Sequence, residues 1–203
     1  MPYFSERDIE IPKLFEFLDR HSNEIKTILD VGCYGSQYLE ELKKRGKVVD
    51  GVDFTYGEKE KKFLWQYLTG DFLEIDFADY NLVIALSTIE HYGIKQKPDP
   101  DYTVLQLFFF EKLLLTANHY LFVTFPYGEP AIHEKEFSVI SPLLLDRFLG
   151  ALNNYSYEIE FYYNEEPQKG EGWREIEREE AGRVKYNPTI GVQCVCILKV
   201  KKF

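Results

Sequence analysis

Ile25-Lys-Thr-Ile-Leu-Asp-Val31, followed by Gly32-Cys-Tyr-Gly-Ser36, is the stretch that decides the fold. Its first seven residues are short, β-branched and largely apolar, which predicts a buried strand. Two glycines then break the strand, and the apolar spacing over 38–42 predicts an amphipathic helix that ends at Gly46. A buried strand that leads through a glycine turn into a helix is typical of an α/β fold with a parallel sheet.

Strands and helices alternate from this stretch up to about residue 150. Further strands are predicted at 47–53, 63–68, 81–87 and 120–125, and helices at 101–118 and 142–149. Ser141 followed by Pro142 fits an N-cap with proline at the first helical position. This order predicts a mostly parallel sheet with helices on both faces.

The chain is predicted to be a single domain covering 1–203. Residues 1–24 form an N-terminal helical segment of one or two short helices, and 25–150 form the core. Residues 151–203 contain a final pair of strands, with candidates at 155–163 and 191–200. The acidic stretch 158–180 is interpreted as a solvated excursion between those two strands, because a run of charge is usually exposed.

Composition excludes several classes of protein. The chain has 203 residues, of which 45% are hydrophobic and 29% charged, so it is neither disordered nor fibrous. Its net charge of −10 disfavours non-specific binding to nucleic acid or an anionic membrane, although a local basic patch stays possible. The oligomeric state is left open by the sequence.

The cysteines and the N-terminus indicate a cytoplasmic protein. Cys33 is far from the other two cysteines in sequence, and Cys194 and Cys196 would share one face of a strand, so no disulfide framework is expected. The three residues also lack the spacing of a metal site. The first residues contain no basic region followed by an apolar one, so no secretory signal is expected.

Polar signals follow three of the predicted strands. Asp30 and the Gly32–Gly35 turn end the first strand, Asp53 ends the second, and Gly70-Asp71 follows the third. In an open α/β sheet, ligands bind at the carboxyl ends of the strands. A carboxylate such as Asp53 accepts two hydrogen bonds at once, which suits a ribose diol. Together these signals predict a nucleoside-containing cofactor. Neither the dinucleotide G-x-G-x-x-G nor the P-loop pattern is present.

The order of these motifs resembles class I S-adenosylmethionine (SAM)-dependent methyltransferases. The resemblance is carried by Ile28–Ser36, Val48–Asp53, Gly70-Asp71 and Leu82–His91, and extends to Tyr120–Gly128. It implies a Rossmann-like, doubly wound sheet of seven strands whose last strand is antiparallel. It also implies SAM as the cofactor, with S-adenosylhomocysteine (SAH) as its product.

The resemblance implies a role for each matching residue. Asp30 and the backbone from Gly32 through Cys33 and Tyr34 to Gly35 would hold the methionine end of the cofactor. Asp53 would bind the ribose hydroxyls, with Phe54 beside the adenine. The remaining positions are Asp71 at the adenine amine, Phe72 beside it, and Ser87 at the sulfonium and the transferred methyl group.

One position departs from the family pattern. The family loop usually carries a second glycine where this chain has Tyr34. Either Gly35 supplies the close approach one residue later, or Tyr34 narrows the pocket and leaves a weak binder or an inactive homologue. This departure makes a non-catalytic cofactor-binding module or scaffold one competing hypothesis. Another is an NAD(P)-dependent oxidoreductase on a related sheet, which the absent glycine triplet disfavours.

The catalytic candidates are Glu90 and His91, just past the fourth strand, where a proton-accepting base would lie. An unperturbed histidine pKa near 6.5 suits that task. The alternative is that Glu90 caps or pairs locally and that His91 is a satisfied polar group. His133 is a further candidate, and the loop 92–101 could form a lid. The acceptor is expected to be a small molecule, sugar or protein rather than a nucleic acid, and no metal is expected.

Overall fold

Helices and strands alternate through most of the chain. The structure, a computed structural model, describes residues 6–77, 80–94, 102–133, 136–169 and 172–203. The helices are α1 (Arg7–Arg20), α2 (Leu39–Lys44), α3 (Glu58–Lys61), α4 (Tyr102–Thr116), α5 (Pro142–Gly150) and α6 (Arg178–Ala181). The strands are β1 (Thr27–Val31), β2 (Val48–Asp53), β3 (Gln66–Thr69), β4 (Tyr80–Leu86), β5 (Ala117–Pro126), β6 (Ala131–His133), β7 (Phe137–Val139), β8 (Ser156–Tyr163), β9 (Arg174–Ile176) and β10 (Cys194–Lys201).

The main sheet has the strand order β3-β2-β1-β4-β5-β10-β8-β9. Strands β1 to β5 run parallel to one another, and β10 lies antiparallel between β5 and β8. The chain moves outward from β1 to β3 and then returns to the other side of β1 with β4. This reversal is the switch point at which open α/β sheets bind ligands. The predicted doubly wound, mostly parallel architecture is confirmed.

The number of strands differs from the prediction. The main sheet contains eight strands rather than seven, because β9 pairs antiparallel with β8 over three residues. This strand lies inside the predicted acidic excursion, and its Ile176 side chain is buried. A second sheet is formed by β6 and β7 alone. Strands of three residues carry too little alternation to be recognised in sequence.

Both faces of the sheet are covered. Helices α1 and α2 pack on one face, where Leu14 and Leu39 are fully buried, and α4 and α5 pack on the other, where Phe110 stacks on Phe148. Within the described part of the N-terminal segment, from residue 6 onward, there is one helix. Between β3 and β4, residues 70–77 form turns, so no helix covers that crossover within the described residues.

Local signals set several boundaries as expected. The Ser141 hydroxyl accepts a hydrogen bond from the Leu144 N–H at 3.2 Å, which confirms the predicted N-cap of α5.

All three cysteines are buried and unpaired. None of the helices in the described ranges has the length and apolar character required to cross a membrane. The predicted lid loop falls outside the described residues from position 95 to 101.

Candidate active site

A cleft of about 520 Å³ opens at the carboxyl ends of β1, β2 and β4. It brings together seven of the residues predicted from the sequence, namely Gly32, Tyr34, Asp53, Phe54, Phe72, Ser87 and His91. The lining also contains Arg7, Val31, Val52, Thr55, Gly70, Thr88, Tyr92, Gly93 and Phe109. Five predicted residues are absent from the lining, namely Asp30, Cys33, Gly35, Asp71 and Glu90.

Gly32 holds the glycine turn against two neighbouring strands. Its N–H donates to the Val52 carbonyl at 2.8 Å, and its φ of +80° lies in the left-handed region that favours glycine. A Cβ atom here would lie 2.4 Å from Oγ1 of Thr88. Gly35 also has a left-handed φ, of +79°, but no atom lies within 4 Å of the position of its Cβ. Gly32 therefore allows the turn to pack closely on Thr88, whereas Gly35 has no such packing contact.

Tyr34 lies beside the cleft without closing it. Its side chain is 57% exposed, and it is one of the residues that line the opening. Its backbone N–H donates to Oδ2 of Asp53 at 3.1 Å. The tyrosine at this position therefore leaves space for a ligand and helps to hold Asp53.

Asp53 is oriented by the backbone on both sides. Oδ2 accepts from Tyr34, and Oδ1 accepts from the Thr55 N–H at 2.8 Å. A carboxylate has about four acceptor positions, so two of them stay available after these bonds. Because Asp53 lines the cleft, this carboxylate is fixed in place to accept further hydrogen bonds there.

Asp30 and Cys33 lie behind the wall of the cleft. The fully buried Asp30 carboxylate accepts hydrogen bonds from the hydroxyls of Tyr38 at 2.6 Å and Ser36 at 2.9 Å. Burial raises the pKa of Asp30 to about 6, although both hydroxyls oppose the rise by stabilising the charged form. The Cys33 thiol packs at Gly51, and burial raises its pKa as well. Asp30 therefore holds the glycine turn in place through its hydrogen bonds to Ser36 and Tyr38.

Aromatic rings form the side of the cleft nearest β2 and β3. The ring of Phe54 is 54% exposed and lies nearly parallel to that of Tyr92, with centroids 6.4 Å apart and planes inclined by 25°. The Tyr92 hydroxyl lies 2.8 Å from both carboxylate oxygens of Asp71. Asp71 thus positions Tyr92, while the buried ring of Phe72 packs on Phe109.

The end of β4 is joined to the N-terminal helix by a buried carboxylate. The Ser87 hydroxyl donates to Oε1 of Glu10 at 2.6 Å, and the Thr124 hydroxyl donates to the same oxygen. Arg7 pairs with the other oxygen, Oε2, at 2.6 Å. Ser87 has a φ of +42°, a conformation rare for residues other than glycine and common at functional sites.

Glu10 and Arg7 were missed by the sequence reasoning. A signal for Glu10 was present, because it falls in phase with the buried Leu14 and Phe17 on the apolar stripe of α1. A carboxylate on such a stripe needs a polar partner in the interior. The sequence does not identify that partner, because Ser87 is 77 residues away along the chain.

The structure separates the two catalytic candidates. His91 lines the cleft, and its side chain is 53% exposed. Its Nδ1 lies 2.8 Å from the Glu136 carbonyl, which can only accept, so Nδ1 carries the proton and Nε2 of the neutral ring is an acceptor. Glu90 is 1% exposed and lies behind this wall, with Oε1 4.0 Å from Nε2 of His91. Burial raises the pKa of Glu90 well above its ordinary value.

His133 does not line this cleft. It lies in β6, where its ring packs against Phe137 and Tyr186 at centroid distances of 5.2 and 5.3 Å. Within the described residues there is also no cluster of three or more histidine, cysteine or acidic side chains able to hold a metal ion.

Several solved structures share this architecture. Magnesium protoporphyrin IX methyltransferase from Synechocystis PCC 6803 with bound SAM is 14% identical, with 97% of this chain and 80% of that chain covered and a TM-score of 0.61. The 1,6-didemethyltoxoflavin-N1-methyltransferase of Burkholderia thailandensis is 12% identical, with coverage of 99% and 84% and a TM-score of 0.62. A SAM-dependent methyltransferase from Archaeoglobus fulgidus is 17% identical, with coverage of 99% and 100% and a TM-score of 0.56.

These similarities define the class of fold. The chain has the Rossmann-like fold of the class I SAM-dependent methyltransferases, as the sequence motifs predicted. No protein-family model matches the sequence, and no curated protein sequence matches it significantly.

Proposed function

We propose that this protein is a methyltransferase that uses SAM to methylate an acceptor bound at the open side of the cleft. The observation that carries the proposal is the cleft itself, which places Gly32, Asp53, Phe54 and Ser87 around one cavity at the switch point of the sheet. Its volume of about 520 Å³ lies within the range of about 300–1,000 Å³ usual for small-molecule sites.

The adenosine part of the cofactor fits the side formed by β2. Asp53 would accept hydrogen bonds from both ribose hydroxyls through its two remaining acceptor positions. Phe54 and Tyr92 would hold the adenine between their nearly parallel rings. The 6.4 Å between the ring centroids is an upper limit on the gap between the rings, whereas two stacking distances of about 3.5 Å need about 7 Å, so the rings must move apart to admit the adenine. Asp71 would then act on the adenine through Tyr92, or directly once that hydroxyl turns away.

The methyl-transfer end fits the opposite side, at β4. Ser87 would border the sulfonium group, and Gly32 leaves the backbone room beside it. The cofactor supplies an activated methyl group, so the protein must align the acceptor and, where the acceptor is weakly acidic, remove its proton. His91 would take that proton at Nε2, because its other nitrogen donates to the Glu136 carbonyl.

The acceptor is proposed to be a small molecule, a sugar or a protein rather than a nucleic acid. The net charge of −10 opposes the approach of a polyanion. The structural relatives with named substrates include enzymes for a magnesium porphyrin and for 1,6-didemethyltoxoflavin. Those names do not define the acceptor of this chain, but they support a small-molecule ligand.

Thermal unfolding with SAH tests the proposal directly, because a ligand that binds only the folded state raises the melting temperature. We expect a rise with SAH for the wild type and none for Asp53→Ala. Asp50→Ala is the matched control, since Asp50 lies on the same strand but bonds to the Tyr80 hydroxyl instead. A rise with NAD and none with SAH would support the oxidoreductase alternative. A response to neither would contradict the proposed function.

A further inference from the structure

Arg7 is the one lysine or arginine among the described residues that line the cleft. Its side chain is 31% exposed, and it shares the lining with Ser87 and His91. A guanidinium is not deprotonated in proteins, so Arg7 brings a permanent positive charge to the cleft. The planar N–H groups of arginine match the oxygen atoms of a carboxylate, so an arginine in this position is suited to bind an acid group of a ligand.

A buried carboxylate holds Arg7 in place. Nη1 of Arg7 bonds to Oε2 of Glu10 at 2.6 Å, and Glu10 is fully buried. Oε1 of Glu10 accepts the hydroxyl protons of Ser87 and Thr124, which fixes Glu10 to the end of β4 and to β5. The guanidinium is therefore oriented before any ligand binds, which reduces the entropy that binding would cost.

The ion pair with Glu10 does not exhaust the guanidinium. The hydrogen bond to Glu10 is made through Nη1. A guanidinium has five N–H donors arranged as a rigid fork, and one carboxylate contacts one edge of that fork. Glu6 also acts on Arg7, but burial raises the pKa of Glu6, so this carboxyl is charged less readily. A carboxylate that enters the cleft can therefore share the guanidinium with Glu10.

The charge of Arg7 reaches the ends of both β1 and β4. Burial raises the pKa of Asp30 and of Glu90, and the Arg7 charge opposes the rise at both carboxyls. Asp30 was expected to hold the methionine end of the cofactor together with the glycine turn. Because Asp30 is fully buried and is itself an acid, it does not supply a cation for the carboxylate of that end. Arg7 does supply one.

We propose that Arg7, oriented by Glu10, binds a ligand carboxylate in this cleft. Two ligands can supply that group: the amino-acid end of the cofactor, or an acceptor that carries an acid. The inference rests on the proposed function and adds the group that recognises the acid. Since Arg7 and Glu10 neutralise each other, a bound carboxylate gives this end of the cleft a net negative charge, which suits the neighbouring sulfonium cation.

Calorimetric titration with SAH and with decarboxylated SAH tests the inference, because the two ligands differ only in the carboxyl group. Where the cofactor supplies the carboxylate, the wild type binds SAH more tightly than the decarboxylated ligand. Arg7→Met then weakens the binding of SAH about tenfold and does not weaken that of the decarboxylated ligand. Arg20→Met is the matched control, since Arg20 ends the same helix, pairs with Glu158 and does not line the cleft. This control should leave both affinities within about twofold of the wild type.

A second pair of probes identifies an acid group on the acceptor. Where the acceptor supplies the carboxylate, Arg7→Met leaves the affinities for SAH and decarboxylated SAH unchanged. With SAH bound, the wild type should then bind benzoate more tightly than benzamide, which is the uncharged amide of the same shape. Arg7→Met should abolish that preference.

The outcomes separate the inference from the proposed function. Equal weakening of SAH and decarboxylated SAH in Arg7→Met, or no effect on SAH together with no preference for benzoate, would overturn the carboxylate site and leave the methyltransferase proposal intact. Binding of neither SAH nor its decarboxylated form to the wild type would overturn both. Arg7→Met leaves Glu10 buried without this cation. Should that variant fail to fold, Arg7→Met/Glu10→Gln, which removes both charges, gives the same comparison of ligands.

Discussion

Replacing each glycine of the β1–α2 turn by alanine separates backbone strain from close packing. Gly32 and Gly35 have almost the same φ, +80° and +79°, so each alanine variant incurs a similar left-handed strain of about 1–2 kcal/mol. Only at position 32 does the new Cβ meet another atom, Oγ1 of Thr88 at 2.4 Å. That hydroxyl lies 3.1 Å from the Val31 carbonyl and 3.0 Å from the Leu86 carbonyl, to which it donates.

Displacing Thr88 breaks this partly buried hydrogen bond at a cost of about 1–3 kcal/mol. Gly35→Ala should therefore lower the free energy of unfolding by about 1–2 kcal/mol, and Gly32→Ala by about 2–5 kcal/mol. Urea denaturation measures both values. Adding Thr88→Ala to Gly32→Ala removes the two closest contacts and should recover part of the loss, as a double-mutant cycle would show. Equal losses in the two single variants would refute the close-packing role of Gly32.

Three further predictions follow from other parts of the site. Because the folded pKa of Asp30 is raised from 3.8 to about 6, the folded state binds more protons between these values and Asp30 destabilises it as the pH rises. The free energy of unfolding of Asp30→Asn, measured by urea titration, should therefore rise by about 2 kcal/mol relative to that of the wild type when the pH is raised from 4.5 to 7.5. A difference between the two proteins that does not change with pH would contradict this. Phe54→Ala should weaken SAH binding about tenfold, as measured by calorimetry. Trp65→Ala is the control, because it removes a more exposed ring outside the cleft, and it should leave SAH binding unchanged. Equal effects of the two substitutions would exclude stacking at Phe54. Ser141→Ala should lower the free energy of unfolding by about 1 kcal/mol, and an unchanged urea midpoint would contradict its role as N-cap.

The strands of the core and the position of the cleft could be predicted because they depend on local pattern. The apolar runs ending at Val31, Asp53 and Leu86 became parallel neighbours, and parallel strands present their carboxyl ends at one edge. Gly32 and Asp53, which the strand ends predicted, line the cleft together with Phe54 and Ser87, which the family resemblance implied. The short strands β6, β7 and β9 were missed, since three residues do not establish a period.

The roles of several acidic residues depended on partners that no local pattern identifies. Asp30 and Asp71 have the positions expected at their strand ends, but their carboxylates bond to Tyr38 and Tyr92. A sequence motif fixes where a side chain is attached, and the packing of other elements decides which groups reach it. The same limit applies to Glu90, whose burial behind His91 became visible only in the folded chain.

By itself, the sequence determined the order of the core strands, the glycine turn and the edge of the sheet at which the cleft opens. These features follow from side-chain periodicity and backbone freedom, which act over a few residues. Only the tertiary structure decided that α1 returns to the end of β4 and places Glu10 against Ser87 and Thr124, which are 77 and 114 residues away. Such contacts arise from the packing of a whole helix on the sheet, and the local pattern of one segment does not specify them.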